Sequence, residues 1–171
     1  MKYSYSAFYE KNAAYFNARP NLKKGLLFVD RFLSLAFALA YVTFVLGKIA
    51  LEFPAEDLIK ILFSPALCLF FVSLLRLAIC RPRPYSEKGA NITPLYPKKG
   101  ASDHSFPSRH IACAFVIAST ILSYSMGQGI CLMVFGLALA YTRFALGWHY
   151  PTDLLGGGVL GVLCGMIAFV F

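Results

Sequence analysis

The sequence predicts an all-α, polytopic membrane helix bundle, and three observations carry that prediction. Of its 171 residues, 58% are hydrophobic and 16% aromatic, and only 14% are charged, against about 25% charged in an average soluble domain. Five apolar stretches reach or approach the roughly 20 residues that a helix needs to cross the hydrocarbon core. The arginines and histidines, costly beside membrane-length apolar runs, gather in a few short polar islands. The length suits one domain of about 100–200 residues, so residues 1–171 are read as a single membrane-embedded domain.

Residues 1–25 interleave Tyr3, Tyr5, Phe8, Tyr9, Tyr15 and Phe16 with Lys2, Lys11, Arg19 and Lys23. That mixture fits an amphipathic helix lying in the head-group layer, or a solvated leader. The first apolar stretch, residues 26–51, carries Asp30 and Arg31 near its start and Lys48 near its end. No cleavable signal sequence is expected before it, because no small-residue cleavage site follows the apolar run. Residues 58–79 form the second stretch, with Lys60 and Arg76 inside its ends. The third, 110–124, is short unless it begins at Pro107; the fourth is 130–146 and the fifth 152–171. Short connections join the first to the second and the third to the fourth. Residues 80–106 form a long polar loop in which Pro82, Pro84, Pro94 and Pro97 prevent a continuous helix. With five spans, this loop and the connection between the fourth and fifth helices share one face.

The formal charge is +8. No long basic run accompanies it, so anionic lipid head groups or a phosphorylated substrate are expected as partners, not nucleic acid. Five scattered cysteines form no C-x-x-C pair. They are read as small hydrophobes in helices, without a disulfide framework, zinc site or other metal. No cofactor is expected, and the sequence leaves oligomeric state open.

Three islands converge on the face with the long loop: Arg76-x6-Arg83-Pro84, Phe106-Pro107-Ser108-Arg109-His110, and Arg143-x5-His149-x3-Asp153. In the third, a carboxylate four residues beyond a histidine can bind one imidazole nitrogen and leave the other as a nucleophile, or the two simply decorate a helix start. Arg143 offers a fork for phosphate oxygens. In the second, Pro107 and a serine suit a helix start whose exposed N–H groups favour an anion. Ser108 and Arg109 are candidate phosphate donors there, and His110 a candidate general acid; an ordinary cap with a surface histidine is the plainer alternative. In the first, Arg76 and Arg83 are either phosphate ligands or interface anchors.

The order and spacing of these islands resemble the type 2 phosphatidic acid phosphatase (PAP2) superfamily, whose pattern is K-x6-R-P, then P-S-G-H, then S-R-x5-H-x3-D. The resemblance spans Arg76 to Asp153 and the helical layout around it; residues 1–70 carry none of the motif. It implies that His149 attacks phosphorus to form a phosphohistidine, that Asp153 orients and charge-stabilises it, and that His110 protonates the leaving oxygen and then activates water. It also implies that Arg76, Arg83, Ser108, Arg109 and Arg143 hold the phosphoryl oxygens without a metal. Arg76 replaces lysine, Arg109 replaces glycine and Thr142 replaces serine, and none of these changes removes a proton-transfer group. His104 falls outside the pattern and is read as a rim residue, and Lys88, Lys98 and Lys99 as solvated loop charges.

The resulting expectation is a multi-pass lipid phosphate phosphatase similar to small bacterial undecaprenyl-diphosphate phosphatases. Phosphatidylglycerophosphate and phosphatidate are the other expected substrates, and a non-catalytic lipid-phosphate binder or transporter is the competing class. Counting Lys and Arg by face puts the site in the cytoplasm, whereas the resemblance to lipid-diphosphate recyclers puts it outside. The extracytoplasmic face is the expectation adopted.

Overall fold

A computed structural model describes residues 2–86, 88–97 and 104–167. These form six helices: α1 (Lys2–Asn17), α2 (Pro20–Ala50), α3 (Ala55–Ile79), α4 (Arg109–Leu122), α5 (Met126–Ala145) and α6 (Pro151–Gly165). Each of the five apolar stretches is helical over most of its described residues. Residues 168–171, which the sequence assigns to the last helix, and Lys98 and Lys99 lie outside the described residues; Lys88 is exposed, as a loop charge should be.

Three helices, α2, α3 and α5, are long and apolar enough to cross a membrane. At 31 residues, α2 runs about 46 Å at 1.5 Å per residue. Its outward side chains, Phe32, Leu35, Leu39 and Leu46 among them, are exposed hydrocarbon, as a lipid-facing surface requires. Pro65 interrupts α3 from within. Proline has no N–H to donate to the carbonyl four residues earlier, and that carbonyl, on Ile61, instead accepts the Tyr41 hydroxyl of α2 at 3.1 Å.

The 14-residue α4 spans only about 21 Å and forms the core of the bundle. Ala112, Ala114, Val116 and Ala118 on it are buried. The preceding residues 104–108 are irregular, and their backbone finds protein partners. The Ser105 N–H donates to the Arg81 carbonyl at 2.7 Å, and the Ser108 N–H to the Asp153 carbonyl at 3.0 Å. Irregular backbone is tolerated in a membrane protein where protein supplies such partners.

Tight packing of α6 on α4 follows from its glycines. A Cβ on Gly157 would lie 2.6 Å from the Ser108 carbonyl oxygen, and one on Gly161 2.5 Å from that of Ala112. Four-residue spacing keeps both on one helix face. Their lack of side chains lets the start of α6, with Asp153, meet the start of α4.

Residues 1–25 divide at Ala18 and Arg19. Pro20, whose φ and missing N–H suit a first turn, begins α2, leaving α1 as a separate helix. That helix docks against protein. Tyr9 is buried; its hydroxyl donates to the Leu146 carbonyl at 3.3 Å and accepts the Leu95 N–H at 3.0 Å. Asn12 donates to the Ala145 carbonyl at 3.0 Å. Gly147 has φ +80°, and a Cβ there would sit 2.5 Å from the Tyr9 hydroxyl. Burial pushes the Tyr9 phenol up to about 12, against the lowering effect of the Leu95 N–H, so the ring stays neutral and keeps its proton for Leu146.

Candidate active site

All three islands meet where α3 ends, α5 ends and α4 and α6 begin, as the count of helices implied. His149, 2% exposed, immediately precedes the first turn of α6. Its Nδ1 lies 3.1 Å from the Ser105 carbonyl oxygen and 3.6 Å from Oδ2 of Asp153. A carbonyl only accepts, so this contact assigns the Nδ1 proton and leaves a lone pair on Nε2. That Nε2 lies 3.4 Å from Nη1 of Arg83. The imidazole is thus held by a backbone group that no side-chain pattern reveals, with the carboxylate alongside as a charge partner at longer range.

Asp153 is fully buried. Its Oδ2 accepts the Tyr150 N–H at 2.9 Å, an acidic side chain turned onto the first N–H groups of its own helix, where it also complements the helix dipole. Its Oδ1 accepts Nη1 of Arg81 at 2.8 Å, and the same nitrogen reaches the Thr152 hydroxyl at 2.6 Å. Arg81, which the motif skips, therefore neutralises the aspartate more directly than His149 does. Its guanidinium also stacks 4.3 Å over the Tyr150 ring. The Tyr150 phenol is raised, first by burial and also by Asp153, against the lowering effects of the Ala90 backbone and Arg81.

The two arginines of the first island grip backbone. Nη1 of Arg76 donates to the Pro107 carbonyl at 3.0 Å, and its Nη2 to the His104 carbonyl. His104 thus serves through its main chain; its Nδ1 is buried with no hydrogen-bond partner among the described residues. Arg83 donates to the Trp148 carbonyl at 3.2 Å, one residue before His149. Arg76 is repelled by Arg109 and Arg83 and attracted by Asp153, which puts these charges in one local field.

The second island splits. Ser108 is fully buried at the start of α4, yet its hydroxyl caps nothing and has no hydrogen-bond partner among the described residues. A buried orphan hydroxyl costs about 1–3 kcal/mol. Arg109 and His110 are exposed and border a cavity of about 390 Å³ lined also by Ser34 and Phe37 of α2 and Leu69 of α3. The side chain that Arg109 adds over glycine thus borders this cavity and still acts electrostatically on Arg76.

Arg143 is held by a residue outside all three islands. Its Nε lies 2.7 Å from Oδ1 of Asp30 on α2, both side chains being buried, and its Nη2 donates to the Ser34 hydroxyl at 2.9 Å. Removing one member of such a buried pair strands the other charge and costs about 3–5 kcal/mol. Thr142, in the position of the expected serine, places its hydroxyl 3.0 Å from the same Asp30 oxygen. A second cavity, of about 730 Å³, opens beside Asp153 and is lined by Tyr5, Phe8, Arg81, Lys88, Tyr150 and Thr152. It offers an apolar wall with a cationic rim.

Comparisons with known proteins bear on this geometry. A profile of the PAP2 superfamily matches residues 57–171. Undecaprenyl-diphosphatase BcrC of Bacillus subtilis is 35% identical over 98 residues, which cover 57% of this chain and 49% of that protein, so the chain spans about half the length of this relative. The solved structure of Aquifex aeolicus LpxE aligns with a TM-score of 0.63 at 28% identity, over 84% of this chain and 87% of that one. A transmembrane PAP2-type phosphatidylglycerolphosphate phosphatase from Bacillus subtilis aligns with a TM-score of 0.67 over 98% of this chain and 94% of that one; at 22% identity it shows the shared fold alone.

Proposed function

We propose that this chain, which belongs to the PAP2 superfamily, is a multi-pass membrane phosphatase that hydrolyses a lipid phosphomonoester or diphosphate through a phosphohistidine on His149. The observation that carries the reading is the state of His149. Its Nδ1 proton is committed to the Ser105 carbonyl at 3.1 Å, so Nε2 keeps its lone pair beside the guanidinium of Arg83, at 3.4 Å. A lone pair next to a fixed cation is what attack on a phosphoryl group needs.

In this reading Nε2 attacks phosphorus and the bond from phosphorus to the leaving oxygen breaks. His110 gives that oxygen a proton. It then removes a proton from water, which attacks the phosphohistidine and releases phosphate and His149. Asp153 offsets the charge on the imidazole ring during the first step. Arg76, Arg83, Arg109 and Arg143, with the orphan Ser108 hydroxyl, hold the phosphoryl oxygens. Undecaprenyl diphosphate, phosphatidylglycerophosphate and phosphatidate are the candidate substrates, and the active face is extracytoplasmic.

Phosphate release from these lipids by the purified protein in detergent tests the reading. His149→Ala is expected to lower release on the order of 10³-fold or more, and chelators to leave it unchanged. Full activity in that variant would sink the histidine mechanism. No release from any of the three lipids by the folded protein would favour a lipid-phosphate binder or transporter. Labelling a single cysteine at position 88 in intact cells, in a chain whose own five cysteines are replaced, reports the face.

A further inference from the structure

Asp30 lies on α2, ahead of the region that matches the family, in a helix whose other buried residues, Leu26, Leu33 and Phe37, are apolar. An isolated carboxylate among such neighbours is costly unless it is paired. Its Oδ1 stands 2.7 Å from Nε of Arg143 and 3.0 Å from the Thr142 hydroxyl. One turn later, the Ser34 hydroxyl accepts Nη2 of Arg143 at 2.9 Å and donates to the Asp30 carbonyl at 2.8 Å. Trp148 covers the guanidinium, its ring centroid 5.1 Å from Cζ. Held on these sides, Arg143 still has a buried Nη1 with no hydrogen-bond partner among the described residues. Its field also includes Arg83, which repels it and which contacts Nε2 of His149.

We infer that Asp30 and Ser34 are positioning residues, which turn Arg143 so that Nη1, with neither an ion-pair nor a hydrogen-bond partner among the described residues, meets an oxygen of the transferring phosphoryl group. The inference rests on the phosphatase reading above. Asp30 has a second effect. Its carboxylate offsets one positive charge among the clustered arginines, so the site holds a phosphoryl oxygen without retaining the inorganic phosphate it produces. A salt bridge that only tied α2 to α5 would do neither, because its loss would reduce the amount of folded protein without changing the behaviour of each folded molecule.

The test is Asp30→Asn in the purified, detergent-solubilised chain, with rates normalised to folded protein. Expected are a kcat lower by about 10- to 100-fold, a KM within about threefold, and inorganic phosphate that inhibits several-fold more tightly. On an Arg143→Ala background, Asp30→Asn should cost nothing further, since contacting residues that act together are non-additive. An unchanged kcat and unchanged phosphate inhibition would overturn the inference, as would a full independent loss on the Arg143→Ala background. If Asp30→Asn fails to fold, Ser34→Ala replaces it, with a smaller expected loss of about 3- to 10-fold and the same non-additivity; additive losses overturn the inference. If the unaltered protein releases no phosphate, the phosphatase reading fails separately. Orthovanadate binding by the unaltered and Asp30→Asn chains, read by thermal shift, then decides: a changed affinity supports the positioning role and an equal one overturns it.

Discussion

Residues 2–50 and the described part of residues 55–167 meet near the same site with different chemistry. The second region brings the dense islands: two histidines, four arginines and an aspartate whose side chains or neighbouring backbone converge within a few turns of helix ends. The first brings no motif, yet Asp30 and Ser34 hold Arg143, and Tyr9 and Asn12 hold the α5–α6 connection by its carbonyls. Reacting groups need particular side chains at particular offsets, which leaves a visible pattern. Groups that hold them need only one acceptor or donor in reach, which many residue types supply from anywhere in the chain. The difference separates what a site does from what keeps it in place.

Three substitutions probe that contrast, beyond the His149 and Asp30 variants. Arg83→Ala should have the largest effect, lowering phosphate release by about 10²- to 10³-fold, the usual cost of removing one transition-state donor. Measured rates within tenfold of the unaltered protein would show that Arg83 merely braces Trp148. Tyr9→Phe should act through stability. It removes one of two acceptors of the Leu95 N–H, which also reaches the Leu146 carbonyl at 3.2 Å, and the hydroxyl donor to that carbonyl, a loss of about 0.5–1.5 kcal/mol that thermal unfolding in detergent would register, with activity falling only a few-fold. A large kcat loss with unchanged unfolding would move Tyr9 from support to chemistry. Lys88→Ala should do least, changing activity by less than about twofold, because an exposed loop charge is weakly coupled to anything. A larger change, sensed in KM, would assign Lys88 a role in drawing the head group to the 730 Å³ cavity.

Much of this architecture was legible. The apolar stretches announced their helices, because a membrane forces backbone pairing to be internal, and counting helices was enough to bring the islands to one face. The parts that stayed hidden share a cause. Asp30 and Thr142 are 112 positions apart and Arg81 and Asp153 are 72 apart, so no local period links them. Ser105 acts through its carbonyl, and a carbonyl has no residue identity to read. In α1, alternating aromatic and basic residues suit a head-group layer as well as a protein surface, and only the partners decide between them. Gly157 and Gly161 were the missed signal that was present: their four-residue spacing marks the face on which α6 meets α4.

The placement of Ser105 closes a ring. The Arg81 carbonyl accepts the Ser105 N–H at 2.7 Å, the Ser105 carbonyl faces His149 at 3.1 Å, His149 stands 3.6 Å from Asp153, and Asp153 returns to the Arg81 side chain at 2.8 Å. The polypeptide leaving α3 is therefore linked to the imidazole from both sides, through the Ser105 carbonyl and through Asp153. The location of one proton, on Nδ1 and not on Nε2, becomes a property of the loop's shape, so a shift of the backbone at Ser105 would act on reactivity as directly as a change of pH.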